Sequence, residues 1–252
     1  MALRFGLFGT GYWAAEVHAA GLAAHPDATL VGVWGRDPDK VAALAGRYGA
    51  RPYDDVDALL ADVDAVAVAL PPDVQVGLAV RAARAGRHLL LDKPVALSVE
   101  DADAIVGAVD ADGLSSLVFT TNRYRPEVDV FLAEAIATGG WSGARVTYYG
   151  ANFTPGNPYA GSAWRDEHGG LWDLGPHALS VLVPVLGPPG PAILPALGTT
   201  PVEAFQHAVT RLDANVSSGV TEDPLDVRAG RDAVAVLVAA RTSAETGRTV
   251  RV

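Results

Sequence analysis

Short apolar runs alternate with helix-length segments from Leu3 to Thr121, and this alternation constrains the fold more than any other feature of the chain. Runs with no polar face read as strands buried on both sides, the condition met by a parallel sheet with helices on each face. The expected strands are Leu3 to Phe8, Thr29 to Trp34, Arg51 to Tyr53, Ala65 to Leu70, His88 to Leu91 and Ser116 to Thr121. Between them helices are expected up to about His25, from Asp39 to Tyr48, from Asp55, from Asp73 to Ala85 and from Ser98 to Asp110. Asp37 and Pro38 supply an N-cap and a first-turn proline to the second of these helices.

The alternation stops near Thr121, which sets an expected division into an α/β domain over 1–121 and a reduced α+β domain over 122–252. In the second part the sequence predicts a helix from Pro126 to Thr138, a strand from Ala144 to Phe153, a polar and aromatic loop, and a helix starting near Pro176. A proline-rich connector (Pro188 to Pro201) follows, with a doubtful strand at Ala192 to Leu197 between its prolines. Helices near Val202 to Arg211 and from Arg228 to Thr246, and a closing strand from Thr249 to Val252, complete the reading. A sheet with so few strands leaves apolar faces or edges that helices or a partner chain must cover.

With 252 residues, half of them apolar, the chain can bury a sizeable core. The formal net charge of -10 and the single, scattered arginines argue against a nucleic-acid partner. Without cysteine there is no disulfide, thiolate metal site or cysteine nucleophile. The six histidines form no close pair at helical or turn spacing, so no metal site is expected. The N-terminus opens a strand rather than a signal peptide, and the nearly uncharged stretch from Ala178 to Thr200 is broken by five prolines, so no membrane span is expected. A cytoplasmic protein is the expectation.

Directly after the first strand stand Gly9, Thr10, Gly11, Tyr12, Trp13 and Ala14, followed by an alanine-rich helical run. Strand, glycine turn and helix in this order suit a dinucleotide. The glycines permit a tight turn and a close backbone approach to a pyrophosphate, Ala14 lets helix pack on strand, and the helix N-terminus offers amide donors. The second strand ends in Trp34-Gly35-Arg36 where an NAD-selective site carries an acid for the ribose hydroxyls. Gly35 and Arg36 therefore favour NADP over NAD, because a guanidinium can pair with a 2'-phosphate. A small register shift would bring Asp37 to the ribose instead; its other reading is the helix cap.

Two further places carry chemistry. Lys93 is one of only two lysines, against seventeen arginines, and follows Leu89-Leu90-Leu91-Asp92 where a buried strand runs out before Pro94. An ammonium on a flexible stem can be tuned to exchange protons, which a guanidinium cannot; the alternative is a strand-end lysine in solvent. In the second part, Trp164-Arg165 precedes Gly169-Gly170-Leu171-Trp172-Asp173-Leu174-Gly175-Pro176-His177. Gly175 and Pro176 read as N-cap and first helical residue, which places His177 in a first helical turn where the imidazole stays neutral. Asp173 would then fold back to orient the ring, or simply cap the helix.

Taken together, Gly9-x-Gly11-x-x-Ala14, Asp92-Lys93-Pro94, Asn122-Arg123-Tyr124-x-Pro126, Trp164-Arg165 and Gly169-Gly170-x-x-Asp173-x-Gly175-x-His177 resemble the Gfo/Idh/MocA oxidoreductases. The likeness covers the first 187 residues and resumes at Ser243 to Arg248. It implies a Rossmann domain, a following α+β domain, and a nicotinamide between them. Lys93, Asp173 and His177 match the family's catalytic residues, and Asp92 stands where the family usually has Glu. Leu70, Pro71 and Gln75 fall where the family lines the nicotinamide ribose, and Tyr124 and Arg165 are candidates to shape the substrate pocket. The implied activity is hydride transfer, with NADP or NAD, at a hydroxyl or carbonyl carbon of a sugar, cyclitol or similar polar molecule. The alternative is a catalytically silent NAD(P)-binding sensor on the same fold. A homo-oligomer of unassigned state is also implied. The Lys93-Pro94 bond is a candidate for the cis form.

Overall fold

Period-two burial builds the sheet. In the computed structural model, which describes residues 2–151, 154–186, 200–250 and 252, six strands form: β1 (Leu3–Phe8), β2 (Ala28–Trp34), β3 (Arg51–Tyr53), β4 (Ala65–Val68), β5 (His88–Asp92) and β6 (Ser116–Phe119). Successive side chains point to opposite faces. Phe5, Leu7, Ala65, Ala67, Leu90, Leu117 and Phe119 therefore enter one apolar core, while Phe8, Val66, Val68, Leu89, Leu91 and Val118 enter the other. All five pairings are parallel and the strand order is β3-β2-β1-β4-β5-β6. The order reverses between β1 and β4, opening a crevice beyond their carboxyl ends where ligands of such sheets bind.

The connecting helices are α1 (Ala20–Ala24, entered through a π-helical stretch Ala14–Ala19), α2 (Pro38–Tyr48), α3 (Val56–Ala61), α4 (Pro72–Arg84) and α5 (Val99–Ala111). Their starts are fixed by side chains: Asp37, Asp55 and Ser98 each accept backbone amides at the first turns of α2, α3 and α5. Four more helices follow: α6 (Pro126–Thr138), α7 (Ala163–Leu186), α8 (Pro201–Ser218) and α9 (Val227–Thr246). The Thr200 hydroxyl and Glu203 carboxylate form a reciprocal capping box at the start of α8.

Three expectations for the second half need correction. Residues 144–151 form no strand, Asn152 and Phe153 lie outside the described residues, and Thr249, Val250 and Val252 form no strand either. The alternating pattern was present, but a strand needs a partner ladder, and among the described residues none lies beyond β6. The proline-rich connector and the segment from Ala192 to Leu197 lie outside the described residues up to position 199. Finally, no helix begins at Pro176. The break in α7 is at Gly169, whose left-handed φ of 68° interrupts the helix, and Pro176 lies inside it.

Helices beyond residue 121 cover both faces of the sheet. On one face, Phe205, Ala208, Val209 and Leu212 of α8 join the core of β1, β5 and β6. On the other, Val234 and Leu237 of α9, with Trp172 of α7, join the core under α4 and α5. Gly230 makes the second contact close, since a Cβ there would lie 2.7 Å from Val95 and 3.0 Å from Val118.

The α8 contact encloses His18. Its ring lies 4.2 Å from that of Phe205 and 5.8 Å from that of Phe119, and neither ring nitrogen has a hydrogen-bond partner. Burial pushes its pKa down to about 3 from an ordinary 6.5. The unfolded chain thus takes up a proton that the folded chain refuses, so stability is complete above pH 6.5 and is lost as pH falls toward about 3. His18→Leu is expected to remove this slope. In urea unfolding, acidification from about pH 7.5 to about 4.5 should cost the variant roughly 2 kcal/mol less than the wild type.

Candidate active site

The crevice starts from glycines. Gly9 has φ 128°, and a Cβ there would stand 2.5 Å from the Ala69 carbonyl oxygen. The approach is fixed by bonds from Gly9 N to Trp34 O and from Ala69 N to Phe8 O, both 2.9 Å. Gly11 differs: nothing lies within 4 Å of the position its Cβ would take, so its bareness serves no packing purpose within the chain. Ala14 is buried under the turn, and a Cβ on Gly35 would come 2.8 Å from Thr10 Cγ2, which draws the end of β2 against the same turn. The helix beyond Gly11 begins with no side-chain cap, and its earliest amide bond runs from Ala15 N to Gly11 O. Uncapped amides facing open space fit a dinucleotide phosphate.

At the tip of β2, Arg36 is exposed and pairs with no carboxylate among the described residues. Asp37 is held on α2, accepting from Asp39 N (3.1 Å) and Lys40 N (3.2 Å). Its reading as the helix cap holds. Leu70 and Pro71, half-buried beyond β4, border the crevice. Gln75 does not. The expected cofactor contact is corrected, because the side chain is fully buried and its amide braces the loop after β5. Gln75 Nε2 donates to the carbonyls of Asp92 (2.9 Å), Pro94 (3.2 Å) and Val95 (3.3 Å), and Oε1 accepts from Asp92 N (3.0 Å).

That brace presents Asp92 and Lys93. The Lys93-Pro94 peptide is cis. Asp92 Oδ1 accepts from Lys93 N at 2.8 Å, and burial pushes the carboxyl up to about 6 against the lowering influence of Lys93. Lys93 Nζ crosses to α7 and donates to Asp173 twice, to the carboxylate at 2.8 Å and to the backbone carbonyl at 2.7 Å. The two side chains are 10% and 6% exposed, so this ion pair is screened from water. Arg165 Nε lies 3.1 Å from the same carboxylate oxygen, and its guanidinium sits over Trp164 (4.8 Å) and Tyr159 (4.7 Å). Burial would raise the Asp173 carboxyl, but the charges and hydrogen bonds of Lys93 and Arg165 hold it below the usual range.

His177 stands one helical turn after Asp173 and is 7% exposed. Burial, then the Lys93 charge, pull its pKa well below the ordinary value against an opposing pull from Asp173. The neutral imidazole expected from a helix N-terminus is therefore obtained from desolvation. Its Nδ1 is buried without a hydrogen-bond partner, while Asp173 engages Lys93 and Arg165. The ring stacks on Tyr148 at 5.5 Å and 7°.

Tyr124 is corrected as well. Only 3% exposed, it donates its hydroxyl to Val118 O (3.0 Å) inside the core rather than facing a pocket. Two aromatic residues absent from the sequence reading do reach the cluster: Tyr148, through His177, and Tyr159, through Arg165. Both lie in a segment without regular structure, where the one available signal was a density of tyrosines. A largely apolar cavity of about 460 Å³ lies between α7, α9 and the Lys93-Pro94 loop, with Lys93 and Pro176 on its wall; the glycines of the turn, Asp173 and His177 do not line it. Among the described residues no group of acids and histidines could hold a metal ion, and no helix is long and apolar enough to cross a membrane.

Strand order, glycine turn and crevice define a dinucleotide-binding Rossmann fold. Residues 3–119 match the model of the Gfo/Idh/MocA oxidoreductase family, NAD-binding Rossmann fold. The chain is similar to inositol 2-dehydrogenase of Rhizobium meliloti (strain 1021), 36% identical over 128 residues that make up 50% of this chain and 38% of the relative. The chain spans between 38% and 42% of the length of such curated relatives. Among solved structures, GenD2 from gentamicin A biosynthesis in complex with NAD shares the fold at a TM-score of 0.79 and 21% identity, covering 100% of this chain and 96% of that one. The 3-ketoreductase KijD10 from Actinomadura kijaniata with NADP does so at 0.58 and 22%, covering 74% and 56%.

Three substitutions separate scaffold from site. Asp173→Ala leaves two buried cations without their carboxylate and is expected to cost about 3–5 kcal/mol in urea unfolding. Gly11→Ala should leave that stability unchanged, whereas Gly9→Ala should lower it by about 1–3 kcal/mol through strain at a positive φ and contact with Ala69 O; equal losses would show that Gly11 serves packing.

Proposed function

We propose that the chain is an NAD(P)-dependent oxidoreductase acting on a hydroxyl or carbonyl carbon of a sugar, cyclitol or similar polar small molecule, with NADP preferred. The reading is carried by one observation: an amine from the end of β5 and a carboxylate from α7 meet at 2.8 Å, one helical turn from a buried, neutral histidine. A bound nicotinamide would supply or accept the hydride. Lys93, charged beside Asp173, polarises the substrate oxygen as a hydrogen-bond donor. His177, uncharged and unpaired at Nδ1, gives or takes the proton as general acid and base. Asp173 fixes the position of the Lys93 ammonium, and Arg165 shapes the pocket. Residues 1–121 hold the dinucleotide and 122–252 the substrate. Exposed Arg36, paired with no carboxylate among the described residues, supports the preference for a 2'-phosphate.

The rival reading is a silent NAD(P)-binding sensor. It is favoured by the second half, which among the described residues has no strand on which to build a substrate pocket. Fluorescence titration with NADPH and NADH, followed by a screen of polyols and aldoses for absorbance change, separates the two. NADPH is expected to bind more tightly than NADH, and Arg36→Ala should erase the difference. Lys93→Met should lower turnover by roughly 10²- to 10⁴-fold with cofactor affinity nearly unchanged. Binding of neither cofactor would overturn both readings, and binding without turnover on any substrate would leave the sensor.

A further inference from the structure

Tyr159 belongs to no motif, yet it joins the two parts of the crevice. Its ring meets Tyr12 edge-on at 5.7 Å and Trp13 at 6.3 Å, the two residues that follow Gly11. The Arg165 guanidinium lies 4.7 Å from its ring centre. Asn157 Oδ1 accepts from Tyr159 N at 2.9 Å and holds the local turn. In the midst of these contacts the Tyr159 hydroxyl is buried with no hydrogen-bond partner. Such an orphan costs about 1–3 kcal/mol, so a chain that keeps it beside an open glycine turn has a donor without an acceptor. Burial raises the phenol pKa, and Asp92 and Asp173 raise it further against Arg165, so the group remains a protonated donor. The neighbouring carboxylates are already engaged, Asp92 by Lys93 N and Asp173 by Lys93 and Arg165.

We infer that Tyr159 is a positioning residue for the dinucleotide, its hydroxyl donating to an oxygen of the pyrophosphate-ribose backbone that lies across Gly11. The inference rests on the dinucleotide reading above and deepens it. The ring reaches the residues of the glycine turn from the second half of the chain, through Tyr12 and Trp13.

Tyr159→Phe removes the hydroxyl and keeps the ring. By calorimetric titration the variant is expected to bind NADPH, NADH and ADP-ribose about five- to tenfold more weakly than the wild type, the usual effect of one lost hydrogen bond. AMP, which lacks the pyrophosphate and second ribose, should bind both proteins equally. Without ligand, the variant should melt no lower than the wild type, because an unpaired buried hydroxyl has been deleted; a structural role alone would lower the melting temperature and spare the affinity ratio. Tyr159→Leu, which also removes the ring, should weaken the dinucleotides further and again spare AMP. The inference is overturned if wild type binds NADPH and Tyr159→Phe matches it within about twofold, or if AMP weakens equally. A wild type that binds no dinucleotide overturns the functional reading and this inference with it, whereas the first two outcomes leave that reading standing.

Discussion

The arrangement depends on a buried ion pair between residues eighty positions apart, Lys93 and Asp173. Taking both charges out of water is costly, and their attraction alone rarely repays it. Here the lysine gains a second bond to the Asp173 carbonyl, and the carboxylate gains Arg165. These extra partners turn the pair into a fastening between the end of β5 and α7. His177 is carried with it, because it occupies the same helix one turn later. The position of the imidazole therefore follows from where the lysine finds its counter-charge.

Electrostatics then links the fastening to the glycine turn. Lys93 opposes the charging of His177 and lowers Asp92, while Arg165 lies between the Asp173 carboxylate and the Tyr159 ring that touches Tyr12 and Trp13. Each group is therefore held by one on the other side of the crevice. Gln75 supports this from beneath, holding the peptides of residues 92 to 95 so that the lysine leaves β5 at a fixed place.

Much of this was legible from residue order. The central strands were readable because runs buried on both faces carry no competing polar period, and the cap at Asp37 announced its helix. Lys93 could be picked out because an amine at the end of such a run is rare in this chain. The misreadings have a common cause, which is that local signals do not identify partners. Gly175-Pro176 is as good a break signal as Gly169-Gly170, and only the backbone shows that Gly169 takes the left-handed turn. The alternation over 144–153 is genuine in the sequence, but among the described residues no neighbouring strand pairs with it. Tyr124 and Gln75 looked chemical and instead satisfy buried carbonyls, while Tyr159 had no pattern to mark it.

That both sheet faces are closed by α8 and α9 bears on biosynthesis. A ribosome makes the six strands first, and Leu90, Leu117 and Val118 gain part of their apolar cover only when α8 and α9 follow, long after β6. Until those helices leave the exit tunnel, the nascent sheet is a greasy surface that invites chaperones or its own neighbours on a polysome. Contacts so distant along the chain also close late, so the sheet that carries the nucleotide crevice is fully covered only after α8 and α9 have been made.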